Sequence, residues 1–247
     1  MIDLHCHILP NVDDGSETEE SSLEMAAMAV SSEVTDIIAT PHCNVPMEEC
    51  LWAEDMRKAV ARMNRLLEEK QIPLKLHPGM EIFGTPETAE LLESGLLTTL
   101  ADSRYPLIEF PFQDYAREAT GILDSVLGLG LRPIVAHPER YDYVQGDPGL
   151  INLWTDMGCL LQVNRGSLMG RFGRHPEALS HALVGRGFAA FVASDAHSPG
   201  MRTPWLKDVE ELLMREYSPG TAQELLTDNP QRVLKNEKIR RKEPVWF

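Results

Sequence analysis

Five histidines and four carboxylates recur along this chain in short polar motifs. His5 and His7 flank Cys6; Asp14 sits in an Asp-Asp-Gly run, His42 in Thr-Pro-His, and Glu81 in Pro-Gly-Met-Glu. Glu109 follows in Leu-Ile-Glu-Phe, His137 in Ala-His-Pro-Glu-Arg-Tyr, and Asp195 with His197 in Ser-Asp-Ala-His. Imidazole and carboxylate without thiolate suit Mn²⁺, Fe or Zn²⁺ better than a soft ion. Such ions activate water for hydrolysis. Singly, each residue has an ordinary alternative: a loop histidine, a strand-end charge, or, for Asp13 and Asp14, turn formers before Gly15. Jointly those alternatives fail, because carboxylates crowded at an apolar rim cost several kcal/mol apiece unless cations compensate them. A multinuclear metal site is expected.

Positioning such scattered groups requires a repeating scaffold. Seven short apolar runs read as strands, at Ile2 to His5, Asp36 to Thr40, Leu74 to His77, Leu107 to Phe110, Pro133 to Ala136, Leu160 to Val163 and Ala189 to Ala193. Helical patterns lie between them at Glu19 to Glu33, Glu48 to Lys70, Glu87 to Glu93, Asp114 to Leu129 and Pro176 to Arg186, with a closing helix from about Trp205 to residue 235. Alternating strand and helix predict a parallel sheet, and 247 residues suit one (β/α) barrel, which needs roughly 250. In a barrel the C-terminal strand ends converge, and every strand except the sixth carries a ligand-capable residue there. On the first strand the two-residue side-chain period puts Asp3, His5 and His7 on one face and Ile2, Leu4 and Cys6 on the other, so Cys6 reads as packing.

Composition narrows the function classes. A formal charge of -15 argues against nucleic acid or an anionic membrane as partner. No apolar run is long enough to span a bilayer, and the start lacks the basic and apolar regions of a secretory signal, so a soluble cytoplasmic protein is expected. The four cysteines, at 6, 43, 50 and 159, have no paired spacing and read as free thiols in a reducing compartment. Methionines 25, 28, 47, 56 and 63 read as core filler, and the basic stretch Lys235 to Lys242 as a solvated tail. Nothing divides residues 1–247 into separate domains.

The ordered set HxH, DDG, TPH, GxE, IE, AHPER and SDxH resembles the PHP (polymerase and histidinol phosphatase) superfamily. Within it, MIDLHCHILPNVDDG, IVAHPERY and FVASDAH are similar to the bacterial CpsB/YwqE-type tyrosine-protein phosphatases. The resemblance runs from Met1 to about Arg202. It implies a distorted (β/α)7 TIM-like barrel and three divalent ions, with manganese the usual one. By the same resemblance His5, His7, Glu81 and Asp195 hold the first ion, Glu81 bridges to a second completed by Glu109 and His137, and Asp14, His42 and His197 hold the third. Arg140 and Arg202 match arginines that bind phosphate, for which forked guanidinium donors are suited. A phenolate leaves with less protonation than an alkoxide, so an aryl phosphate suits a site with no obvious general acid, although His42 could assist.

The implied activity is a metal-dependent phosphomonoester hydrolase acting on protein phosphotyrosine, its partner a bacterial tyrosine autokinase of capsule or exopolysaccharide synthesis. A small-molecule phosphatase of histidinol-phosphatase type, a phosphodiesterase, and a metal-stabilised scaffold without activity are the alternatives. A cysteine-nucleophile phosphatase would need a glycine-rich cradle, whereas Cys159 and Arg165 enclose the strand-like Leu160, Leu161 and Val163.

Overall fold

The computed structural model describes residues 1–113, 115–239 and 243–247. Its strands are β1 (Ile2–Cys6), β2 (Asp36–Ala39), β3 (His42–Cys43), β4 (Lys75–Pro78), β5 (Glu81–Phe83), β6 (Leu107–Glu109), β7 (Ile134–Ala136), β8 (Leu160–Asn164) and β9 (Ala189–Ala193). All seven expected strands are present. The additional β3 and β5 continue β2 and β4 past Pro41 and Pro78, where a residue without an N-H interrupts the ladder. The strands form two parallel sheets, in the orders β1-β2-β4 and β3-β5-β6-β7-β8-β9.

Beyond its pairing with β2, β1 also meets the chain that follows β9. His7 donates its backbone N-H to the Ala196 carbonyl at 2.8 Å, and Asp195 donates to the His5 carbonyl at 2.9 Å. This contact brings the first and last motifs of the sequence side by side. Parallel strands covered on both faces are apolar throughout, and every residue of β1 and β8 is buried. Polar side chains within them are therefore committed to partners.

The helices are α1 (Glu19–Ser31), α2 (Ala53–Glu69), α3 (Thr88–Glu93), α4 (Ala116–Gly128), α5 (Asp142–Gly146), α6 (Gly149–Met157), α7 (Arg165–Leu168), α8 (Arg174–Gly185), α9 (Lys207–Glu216), α10 (Pro219–Gln223) and α11 (Asn229–Leu234). Asp114, the expected start of the fourth helix, lies outside the described residues, as do Arg240, Arg241 and Lys242 of the basic stretch. The closing helix is not continuous: it breaks at Tyr217, and Ser218 caps a new start by accepting from Thr221 N, with Pro219 in the first turn. Helices α5 and α6 have no counterpart in the sequence reading, because Gly146, Pro148, Gly149 and Gly158 interrupt the periodic pattern there.

Two further expectations are corrected. Cys43 and Cys50 are not free thiols but a disulfide, with Cα atoms 5.1 Å apart; the loop after β3 folds back on itself and delays α2 to Ala53. Met25, Met56 and Met63 fill the core as expected, whereas Met47 lies on that loop, fully exposed. Among the described residues no helix is long and apolar enough to cross a membrane.

Arg165 is structural. Its side chain is buried and donates to both oxygens of Asp208, at 2.7 and 2.5 Å, tying α7 to α9. Removing one member of a buried ion pair strands the other. Asp208→Ala should therefore cost about 3 kcal/mol, lowering the melting temperature by roughly 6 to 12 °C, with Arg165→Met milder. An unchanged melting temperature for Asp208→Ala would show that the pair does not stabilise the fold.

Candidate metal centre

All nine sequence-nominated ligand residues lie at the strand ends on one side of the sheets. His5 lies one residue before the end of β1 and His7 just beyond it; His42, Glu81 and Glu109 belong to β3, β5 and β6; His137 follows β7, and Asp195 and His197 follow β9. Asp14 reaches over from the loop after β1. His7, Asp14, His42 and His197 gather in one group, His5, His7, Glu81 and Asp195 in a second, and His42, Glu81 and Glu109 in a third, each within 4.8 Å. His137 joins through Nε2, which is 2.9 Å from Glu81 Oε1 and 3.5 Å from Glu109 Oε1. Asp3 does not join. Its buried carboxylate accepts from the Ser194 backbone N-H at 3.0 Å and from the Ser194 hydroxyl at 2.5 Å.

Hydrogen bonds fix which imidazole nitrogens carry lone pairs. Asp195 can only accept, so Asn164 must turn its Nδ2 donor toward Asp195 Oδ2, at 2.5 Å. Asn164 Oδ1 then accepts from Gln162 Nε2 at 2.8 Å, which leaves Gln162 Oε1 to accept from His5 Nδ1 at 2.9 Å. The neutral His5 ring consequently bears its lone pair on Nε2. His7 likewise donates through Nδ1 to Asp13 Oδ2, at 2.6 Å, so that its neutral ring leaves Nε2 bare.

These two nitrogens lie 3.2 Å from each other, and each lies 3.2 Å from Glu81 Oε2. Asp195 Oδ1 is 3.5 and 3.6 Å away. Four lone-pair atoms converging in a dry site repel one another unless a positive charge sits among them. An ion with bonds of about 2.1 Å spaces neighbouring ligand atoms roughly 3.0 to 3.4 Å apart, so the residues fit a divalent cation. Two buried imidazole nitrogens left without hydrogen-bond partners point the same way, His42 Nδ1 and His197 Nε2. His197 Nε2 faces Asp14 Oδ1 at 3.3 Å, and His42 Nε2 lies 3.5 Å from the same oxygen.

Electrostatics agree with the geometry. Burial opposes charge on His7, but the Asp13 and Glu81 carboxylates outweigh it and raise its pKa well above the ordinary imidazole value, so without an ion a proton on this ring supplies the positive charge the cluster demands. Burial pulls His137 down to about 4, keeping its ring neutral. Burial, then the charges of Glu81 and Asp195, push Glu109 up to about 9. A third carboxylate thus ionises here only with help from a cation.

Arg140 and Arg202 meet at the rim on the same carboxylate. Arg140 Nη1 donates to Asp195 Oδ2 at 3.3 Å; Arg202 pairs with Asp195 Oδ1 and donates through Nε to the Asp195 carbonyl at 3.1 Å. His137, Asp195 and Arg202 all hold positive φ, at 31°, 51° and 33°. Strained conformations of this kind persist where the surroundings over-determine them. Part of that surrounding structure is Glu139, buried beside Arg140, which accepts from Asn164 N at 2.9 Å and from the Ser167 hydroxyl at 2.6 Å.

The sequence reading missed the residues that orient the ligands. Asp13, expected only to form a turn, directs His7 and also accepts from the backbone N-H of His42 at 2.9 Å. Gly15 lets that loop close, since a Cβ there would meet the His7 carbonyl oxygen at 2.4 Å. The strand without a ligand, β8, supplies Gln162 and Asn164 instead. Their spacing of two in an otherwise apolar strand was the available signal.

The family model for capsular polysaccharide synthesis, CpsB/CapC, matches residues 1–235. Tyrosine-protein phosphatase YwqE of Bacillus subtilis (strain 168) is 37% identical over 244 residues, covering 99% of this chain and 95% of that protein. Tyrosine-protein phosphatase CpsB of Streptococcus pneumoniae is 30% identical over 244 residues, covering 97% and 100%. A crystal structure from work on YwqE and CpsB, described as unique metal-dependent tyrosine phosphatases, superposes with a TM-score of 0.95 at 36% identity, covering 100% of this chain and 99% of that one.

Partners that orient metal ligands typically contribute 10- to 100-fold to metal affinity. Asp13→Asn and Gln162→Leu should each weaken Mn²⁺ binding by about that factor, read by titration against a competing chelator, with little change in melting temperature of the stripped protein. Affinities equal to wild type would show that the two side chains do not orient ligands.

Proposed function

The chain belongs to the CpsB/CapC family, and on that premise we propose that it is a metal-dependent protein-tyrosine phosphatase, hydrolysing the phosphate monoester of phosphotyrosine. The observation that carries this reading is the crowding of bare imidazole nitrogens and carboxylate oxygens beneath two guanidinium groups. We assign His5, His7, Glu81 and Asp195 to one ion, Glu81, Glu109 and His137 to a second, and Asp14, His42 and His197 to a third. Manganese is the preferred ion, with Fe or Zn²⁺ compatible with the same donors.

Divalent cations held there would supply Lewis acidity toward phosphate oxygens and lower the pKa of water. The chain's own residues do the rest. Glu81 spans two foci, facing His5 and His7 with Oε2 and His137 with Oε1, and so keeps them in register. Arg140 and Arg202, each partly exposed, present donors toward an anion entering at the rim. To His42, at 24% the most exposed of the five imidazoles, we assign the movement of a proton at the leaving oxygen. A phenolate asks little of it.

The substrate proposed is a phosphotyrosine protein, specifically a bacterial tyrosine autokinase of capsule or exopolysaccharide synthesis, a choice supported by the family's description. We read residues 1–247 as one PHP-type domain, a distorted (β/α)7 TIM-like barrel. The hydrogen bonding of β1 both to β2 and to the chain after β9 supports that closure. We place the protein in the cytoplasm, where ATP-dependent kinases make such substrates; the Cys43–Cys50 disulfide is the feature that leans the other way.

Metal-stripped protein should be inactive and recover with Mn²⁺, turning over a phosphotyrosine peptide faster than histidinol phosphate or a nucleotide diester. Equal rates on all three would remove the protein-substrate assignment. His197→Ala should cost several kcal/mol of barrier, a hundredfold or more in rate, whereas Cys159→Ser should retain most activity; the opposite pattern would indicate cysteine chemistry. Arg140→Ala should lower kcat/KM roughly 10- to 100-fold, the worth of a hydrogen bond to a charged group, with metal content unchanged.

A further inference from the structure

Beside Arg140 lies a cavity of about 530 Å³, bordered by Phe112, Asp142, Gln145, Phe172, Arg174 and His175. Phe112 stands three residues beyond the ligand Glu109, and Phe172 lies in the loop between α7 and α8. The Arg140 guanidinium carbon is 4.6 Å from the centroids of both rings. Attraction to a ring face leaves the in-plane N-H donors of an arginine available. One of them reaches Asp195 Oδ2, so the cavity opens directly beside the candidate metal centre.

Phe112 also meets the His137 ring edge-on, with centroids 6.0 Å apart and planes at 72°, while 38% of it stays exposed. An exposed phenyl ring has apolar area still to be covered. Here it is held in place by a metal-ligand candidate on one side and a phosphate-binding candidate on the other. Whatever is esterified to a phosphate held near Arg140 and Asp195 has this aromatic surface next to it. A flat aryl group can stack on the rings or meet them edge to face; a seryl or other alkyl ester offers only methylene contacts. The cavity is larger than one phenyl ring and has room for adjoining polypeptide.

We propose that Phe112 and Phe172 are specificity-determining residues that receive the aryl ring of phosphotyrosine in the cavity beside Arg140, selecting aryl over alkyl phosphate monoesters. The assignment rests on the phosphatase reading above. It differs from a positioning role, in which the rings serve only to hold Arg140 and would affect every phosphate monoester alike.

The test uses Mn²⁺-loaded full-length protein with Phe112→Leu and Phe172→Leu. Two peptides of one sequence, carrying phosphotyrosine or phosphoserine, are compared by kcat/KM. Intrinsic leaving-group reactivity cancels when each variant is divided by wild type. The aryl value should fall roughly 3- to 10-fold for each variant, the worth of an aromatic contact, while the alkyl value holds; Phe112→Tyr should restore the aryl value. Calorimetric binding of phenylphosphonate against methylphosphonate gives the same comparison without turnover, and the preference for phenyl should shrink by the same factor. Equal losses on both peptides, or no loss on either, would overturn the proposal. Wild-type protein that binds phenylphosphonate selectively yet hydrolyses neither peptide would overturn the phosphatase reading and leave the aryl site standing.

Discussion

The rest of the structure is arranged around the mutual repulsion of buried lone pairs. His5 Nε2, His7 Nε2 and Glu81 Oε2 form a triangle with 3.2 Å sides between buried side chains. Nothing in the apolar interior relieves such an arrangement. A cation does, and the site is better described as a cage of donors than as a set of ion pairs. The carboxyl of Glu109, pushed up to about 9, belongs to the same balance: negative charge already present on Glu81 and Asp195 is what resists a further one.

Holding that cage rigid falls to a layer of groups that need not touch an ion. Asp195 sets the direction of Asn164, Asn164 that of Gln162, and Gln162 the proton position of His5. Asp13 does the same for His7 and pins the backbone of His42. Because each link has one donor and one acceptor, the chain of bonds has a single polarity. Oriented donors of this kind are pre-organised, so little rearrangement accompanies ligand binding. The positive φ of His137, Asp195 and Arg202 belongs to the same design, since the surrounding hydrogen bonds and packing hold backbones that would relax in isolation.

The parallel sheets explain why such a site can be assembled from distant segments. Nine strands running the same way deliver the site residues to one side, and β1 is bonded on its far edge to the residues around Asp195. The aromatic pair around Arg140 adds an apolar wall to an otherwise polar rim.

All seven strands, the nine converging residues and the packing role of Cys6 were legible in the sequence, because a side-chain period of two and the position of polar residues at apolar run ends are local properties. The alternation of strand and helix was legible for the same reason. Three features were not. The Cys43–Cys50 pairing depends on a loop reversing direction, the closing helix is broken by a cap at Ser218, and α5 and α6 sit where glycine and proline mask the helical period. Nor was the part played by Asp13 legible: its neighbour Asp14 was expected among the ligands, but only the fold turns Asp13 back to His7 while Asp14 reaches His42 and His197. Residue type and spacing determine what a side chain can do; its partners across the sheet, set by long-range pairing, determine what it does.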